Sequence, residues 1–166
     1  MAGTAVVSTR RLERFARERG LLFDPEPPVR RSPTRFRHYD EQRPLGRLGV
    51  PGTTGFEVEQ RIETLNLGGG DNSAAISRCT WAVFTLRTGP AGSERAAQIA
   101  SRIMPHGWNA VLDDDELVLW TYRRTRLTSS SLWEWLFRTQ QALEPMLARP
   151  ASRIDRPDGQ QRAIES

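Results

Sequence analysis

Two histidines, His38 and His106, are the only imidazole side chains in the chain that could act as a general base. A Ser-His-Asp site would need one of them beside a serine on a sharp turn, and no G-x-S-x-G sequence is present. His106 follows Pro105, just past a predicted helix, where a protonated ring interacts favourably with the helix C-terminus. We interpret both histidines as cap or turn residues and assign no catalytic residues, so a non-enzymatic protein is favoured while an enzyme stays open as the alternative.

Cys79 is the single cysteine among 166 residues. One cysteine excludes an intramolecular disulfide and a cysteine-based zinc site. With a histidine it could form a nucleophile pair, but it lies in the strand expected at the centre of the sheet. Burial there raises the pKa of a thiol and makes it inert, so we predict that Cys79 is a core residue.

Two short segments have compositions that could bind ions. The run Asp113–Glu116 lacks the alternating oxygen ligands, glycine and distal glutamate of a calcium loop, so a hairpin turn is the favoured interpretation and no metal is expected. Gly68–Gly70 could cradle a phosphate only ahead of a helix, and a strand is predicted to follow. Ser73 stands where a dinucleotide fingerprint needs glycine, so we expect no cofactor.

Arginine is the remaining candidate for binding chemistry, because the chain has no lysine and all 24 basic residues are arginine. This composition is typical of a GC-rich bacterial genome, and it excludes a P-loop lysine. Arg123, Arg124 and Arg126 lie close together in the sequence and could hold an anionic ligand. They define one hypothesis, a small ligand-binding or enzymatic domain with a pocket of arginines and carboxylates.

The positive charge is unevenly distributed along the chain. Residues 1–47 hold eleven arginines against six acidic residues, whereas residues 48–148 hold nine against eleven. The predicted core is therefore mildly acidic, and the arginine-rich N-terminal segment is interpreted as a solvated helix face. This distribution of charge argues against nucleic acid as a partner.

Hydrophobic periodicity predicts helices over 9–19 and 131–147 and a third helix capped by Ser93 and ended by Pro105. The strands are predicted at 56–63, 79–87, 108–112 and 117–122, with a further edge strand at 35–40. On the strand at 56–63 the charged side chains alternate with apolar ones and are expected to face solvent. We expect a flexible N-terminus (1–8), one domain (9–148) with a Pro/Gly-rich loop region (24–55), and a disordered Arg-rich tail (149–166).

The order of these elements is helix, two or three strands, helix, hairpin, helix, which predicts an α+β fold with an antiparallel sheet of four to five strands and helices on one face. This order resembles the small secretion-chaperone fold. The segment Asp115–Arg123 followed by Leu132–Leu147 also resembles an uncharacterised actinobacterial protein family. The first resemblance implies a cytoplasmic, chaperone-like protein. From the sequence we expect no export signal and no membrane span.

The last predicted helix has more apolar surface than one face of a sheet covers. Leu132, Leu136, Leu143 and Leu147 form the centre of the apolar arc. Its flanks are Trp133 with Phe137 on one side and Trp135 with Met146 on the other. Either the flanks are buried under the N-terminal loop, or they form an interface with another protein or a second copy of the chain, which would make a homodimer. The first hypothesis is thus a non-enzymatic protein-binding or chaperone-like adaptor.

Overall fold

The computed structural model describes residues 3–28, 41–51, 55–66, 74–87 and 89–148. The predictions for the strand at 35–40, for His38, for Gly68–Gly70 and for the tail from residue 149 lie outside these residues. No helix in the described ranges is long and apolar enough to cross a membrane.

Three helices and six strands make up the described fold. They are α1 (Gly3–Arg19), β1 (Leu22–Asp24), β2 (Glu41–Gly49), β3 (Phe56–Asn66), β4 (Ala74–Thr85), α2 (Pro90–Ile103), β5 (Asn109–Asp113), β6 (Glu116–Thr121) and α3 (Ser130–Leu143), followed by a short 3-10 turn. All strand pairs are antiparallel, in the order β1-β2-β3-β4-β6-β5. The predicted α+β class and antiparallel sheet are confirmed, but the sheet has six strands instead of four or five.

Two of the described strands, the short β1 and the longer β2, are not among those predicted, and β2 lies inside the segment predicted to be loop. Pro44 and Gly46 suggested a break there, yet both lie at a shift in the β2–β3 register, a bulge that a strand tolerates. Gly46 has a φ of +150°, and a Cβ atom there would lie 3.4 Å from the ring of Phe23. The loop prediction for 24–55 is therefore wrong over Glu41–Gly49, because the proline and glycine mark a bulge.

The helix boundaries also differ from those predicted. α1 begins at Gly3 instead of residue 9. α2 begins at Pro90, a favourable first helical residue, and the Ser93 hydroxyl donates to the Gly89 carbonyl (3.2 Å) within the first turn instead of capping the helix. α3 ends at Leu143, and the chain continues as a 3-10 turn that contains Pro145. Proline removes a backbone donor, which accounts for the early end of the α-helix.

The helices cover one face of the sheet and form the main core with it. Phe56 on β3 stacks on Phe84 of β4 at 5.0 Å between ring centroids, and both lie among buried residues from all three helices. β4 lies between β3 and β6 and is buried on both faces, as its sequence predicted: Ala82 and Phe84 face the helices, and Trp81 and Val83 face away.

The opposite face of the sheet holds a second, smaller apolar cluster, to which none of the helices contributes. Cys79, Trp81, Val83, Val111 and Val118 form it. The neighbouring charged residues of β3, predicted to face solvent, are buried, so that prediction is wrong: Glu59 is 3% exposed, Arg61 1% and Glu63 0%. The alternation of charged and apolar residues along β3 correctly predicted that the charged side chains share one face, but ion pairs among them allow that face to be buried.

Candidate functional site

An open cleft of about 770 Å³ lies between the end of α2, the connection from β6 to α3, and α3 itself. Arg124 and Arg126 reach it from the connection, and Arg138 reaches it from α3. The apolar part of its lining comprises Ile103, Pro105, Trp108, Leu132 and Trp135. The cleft therefore combines arginine side chains with an apolar wall.

Two tryptophans that contact each other form the best-packed part of the apolar wall. Trp108, just before β5, contacts Trp135 of α3 edge to face, with 4.8 Å between the ring centroids. Trp135 is only 7% exposed, whereas Trp108 is half-buried and remains open to the cleft. Such edge-to-face pairs contribute about 1 kcal/mol beyond their burial, so this wall is well fixed.

The connection that carries Arg124 and Arg126 is held in place by bonds from buried side chains. The amide of Gln60 donates to the Thr125 carbonyl at 2.6 Å, and the indole of Trp133 donates to the Leu127 carbonyl at 2.7 Å. Leu127 is itself buried in the core. The backbone beneath the two arginines is thereby anchored on both sides, which reduces the entropy lost when their side chains bind a ligand.

The charge of the cleft is positive. Three arginines and one acidic residue, Glu134, line it, a net charge of +2. All three guanidinium groups are on exposed residues, and within the described ranges none of them forms an ion pair. The fields of the three cations therefore add at the cleft and favour carboxylate or phosphate groups.

Of the arginines singled out in the sequence, two share this cleft. Arg123 does not line it, and instead lies against the backbone of Gly107, just before β5. Arg138 was missed. It follows Trp135 by three residues on α3, so helical spacing could have placed it on the same side as that tryptophan.

A second, smaller groove of about 610 Å³ runs along α3 and shares Glu134 and Arg138 with the cleft. Phe137 lies in this groove and is 43% exposed, one of the large apolar residues that remain open in the described chain. Its ring contacts Phe56 edge to face at 5.5 Å, so the exposed ring is held from beneath. The two depressions form one surface along α3, which we call the α3 surface.

The four residues predicted for an interface separate into buried and accessible pairs. Trp133 is 3% exposed and Trp135 is 7% exposed, so both pack inside this chain. Phe137 is accessible and Met146 is partly so. A partner that binds at α3 would therefore meet Phe137 and the adjacent arginines, whereas the two tryptophans support that surface from below.

The candidate catalytic residues do not meet. His106 is exposed in the turn after α2, and Cys79 is 1% exposed on the other face of the sheet, as predicted for a core residue. Burial, and secondarily the charge of Glu63, raises the pKa of Cys79 to about 12. The indole N–H of Trp81 donates to the sulfur at 2.7 Å. A neutral, enclosed thiol is a poor nucleophile.

Asp113–Glu116 forms the tight β5–β6 turn, as predicted, with Asp114 at a φ of 52°. Over the residues that the structure describes, no three His, Cys, Asp or Glu side chains gather as a metal ion would require. Among the described residues, the α3 surface is therefore the candidate binding site that we consider further.

A network of buried charges on the helix-free face escaped the sequence analysis. Glu59 accepts from Arg47 at 2.6 Å and from Arg61 at 2.8 Å, and the Arg61 guanidinium lies 4.0 Å from the ring centroid of Trp81. Tyr122 donates to Glu63 at 2.9 Å. The opposite charges compensate each other inside the protein, so we assign this network to the structure of the sheet.

No family model matches the chain, and neither a curated protein nor a solved structure matches it.

Proposed function

We propose that this chain is a non-enzymatic, chaperone-like binding domain that holds a segment of another protein along the α3 surface. The segment would place carboxylate groups at Arg124, Arg126 and Arg138 and an apolar side chain against Phe137. The observation that carries this proposal is the convergence of the three arginines, from two separate elements, on a cleft with a tryptophan wall.

The shape of the surface favours an extended partner. Pockets for small molecules enclose most of the ligand's surface. Here the cleft is open and continues through Glu134 and Arg138 into the groove beside Phe137. An extended chain could follow both depressions, whereas a small ligand would occupy only one of them.

The chemistry of the surface favours binding over catalysis. Arginine forms paired hydrogen bonds with carboxylates and is frequent at protein interfaces. The lining of the two depressions holds no cysteine or histidine, and its acidic residues, Glu134 of α3 and Glu144 of the following 3-10 turn, are exposed. The resemblance to secretion chaperones is in keeping with such a role.

The test uses a fluorescent peptide with an acidic half and an apolar half, and a matched peptide in which glutamine replaces each acidic residue. Fluorescence anisotropy should show binding of the acidic peptide only. Arg124→Gln, Arg126→Gln and Arg138→Gln should each weaken it roughly tenfold or more, since a hydrogen bond to a charged group contributes about 1.5–3 kcal/mol.

Arg95→Gln is the matched control, because Arg95 is exposed on α2 and does not line the cleft. It should bind the acidic peptide as the wild type does. Equal binding of the two peptides, or an equal loss in Arg95→Gln, would show that the charge of the cleft does not select the ligand and would overturn the proposal.

A further inference from the structure

The two edges of the sheet differ in how open they are to another strand. β1 has three residues, and Asp24 at its end turns the chain by accepting from the Glu26 amide, with Pro25 between them. β5 has five residues without proline, and within the described chain no strand pairs with its outer side. An unprotected edge strand can pair with a strand of another molecule.

The hairpin fixes which backbone groups of β5 point outward. Asp113 pairs with Glu116 across a two-residue loop, so this closing pair exchanges hydrogen bonds with β6, and Asn109 and Val111 do so in alternation. Ala110 and Leu112 then direct their N–H and C=O groups to the outer edge. If the β5 strand of a second copy pairs antiparallel with the two Val111 residues facing each other, Ala110 of each copy lies opposite Leu112 of the other. The outward N–H and C=O groups of both residues are then all hydrogen-bonded.

The same register brings opposite charges together at both ends of the paired strands. The acidic turn Asp113–Asp115 follows β5, and Arg123 lies against Gly107, just before β5. In a pair centred on Val111, Asp113 of one copy falls opposite Asn109 of the other, so the acidic turn that follows Asp113 lies near the other copy's Gly107 and the Arg123 beside it. Two-fold symmetry repeats the contact at the other end.

We propose that two copies of this chain associate through antiparallel pairing of their β5 strands, with Arg123 of each copy against the acidic turn of the other. The sheet then continues across the dimer as twelve strands, two sheets of six strands each. This proposal is independent of the α3 surface, because Arg123 and β5 residues 109–113 do not line the cleft or the groove.

The test measures the mass of the full chain by light scattering or sedimentation over a range of protein concentrations. The wild type should form dimers. Arg123→Asp and Asp115→Arg should each raise the dimer dissociation constant roughly tenfold or more, because each brings like charges together twice. The double variant reverses the pair and should restore the dimer, a result that a general loss of stability would not give.

Ala110→Pro tests the backbone pairing separately. Proline removes the outward donor but no bond to β6, so circular dichroism should be unchanged while the dimer is lost. Arg102→Asp is the control, because Arg102 is an exposed residue of α2, and this variant should remain dimeric. A wild type that stays monomeric, or a dimer that persists in Ala110→Pro or is not restored in the charge reversal, would overturn the proposal.

Discussion

The two faces of the sheet are both buried, but they are stabilised differently. On the helix side, Phe84, Leu117 and Leu136 are fully buried among other apolar side chains. On the helix-free side, Glu59 and Arg61 are as deeply buried, beside Trp81. Apolar burial contributes about 25 cal/mol per Å², whereas buried ions lose hydration that their mutual attraction only partly returns.

This difference shows where the fold tolerates change. An apolar core loses stability in proportion to the contacts removed. A buried ion network loses much more when one partner is removed than when the whole set is replaced. The following predictions test that distinction.

Leu136→Glu should have the largest effect and abolish the folded state. Leu136 is 0% exposed in the centre of α3, and an unpaired carboxylate buried there would have no compensating charge. Far-ultraviolet circular dichroism should show no cooperative thermal transition. Gln141→Glu, on the exposed side of the same helix, is the control and should melt close to the wild type. A cooperative transition in Leu136→Glu near the wild-type temperature would contradict the assignment of α3 to the core.

Glu59→Gln should lower the free energy of unfolding by about 3–5 kcal/mol, because it leaves two buried guanidinium groups without their shared carboxylate. Urea titration measures the change. Glu57→Gln is the matched control on the same strand: its side chain is 25% exposed and lies 4.0 Å from Arg47, so the cost should stay below about 1 kcal/mol.

Replacing Arg47, Glu59, Arg61 and Glu63 together by apolar residues of similar volume should cost less than Glu59→Gln alone, since the whole set of buried charges is then removed. If this quadruple variant is the least stable of the set, then the ion pairs themselves stabilise the face, and the distinction between the two faces fails.

The sequence was most informative where a single physical effect decides the structure. Apolar spacing placed α2, α3 and the β5–β6 hairpin, and continuous apolarity placed β4 at the centre of the sheet. The sequence was least informative where the same short stretch of residues is compatible with two local structures. Pro44 and Gly46 can break a strand or form a bulge, and only pairing with β3 decides between them.

The candidate α3 surface was only partly predictable for the same reason. Arg124 and Arg126 are neighbours in sequence, but Arg138 joins them only because the chain folds α3 back beside the β6–α3 connection. The wide apolar arc of α3 was correctly recognised, yet its flanks could be core or interface. The positions of Phe15, Phe56 and Trp108 settle this, since they cover both tryptophans and leave Phe137 open.

The smallest effect is expected at Cys79, on the helix-free face. Burial, and then the charge of Glu63, raises the pKa of this thiol from 9.0 to about 12. Below pH 9 the thiol is neutral in both states. Above it, the unfolded chain releases the proton while the folded chain retains it, so folding stability falls with rising pH until the folded thiol also ionises. Between pH 9 and about pH 11 the wild type should lose roughly 2–3 kcal/mol relative to Cys79→Ala. Urea titrations of both proteins across this range measure the difference, and groups that titrate in both cancel. Parallel pH profiles would mean that the thiol is hydrated in the folded protein and that this face is more open than its contacts indicate.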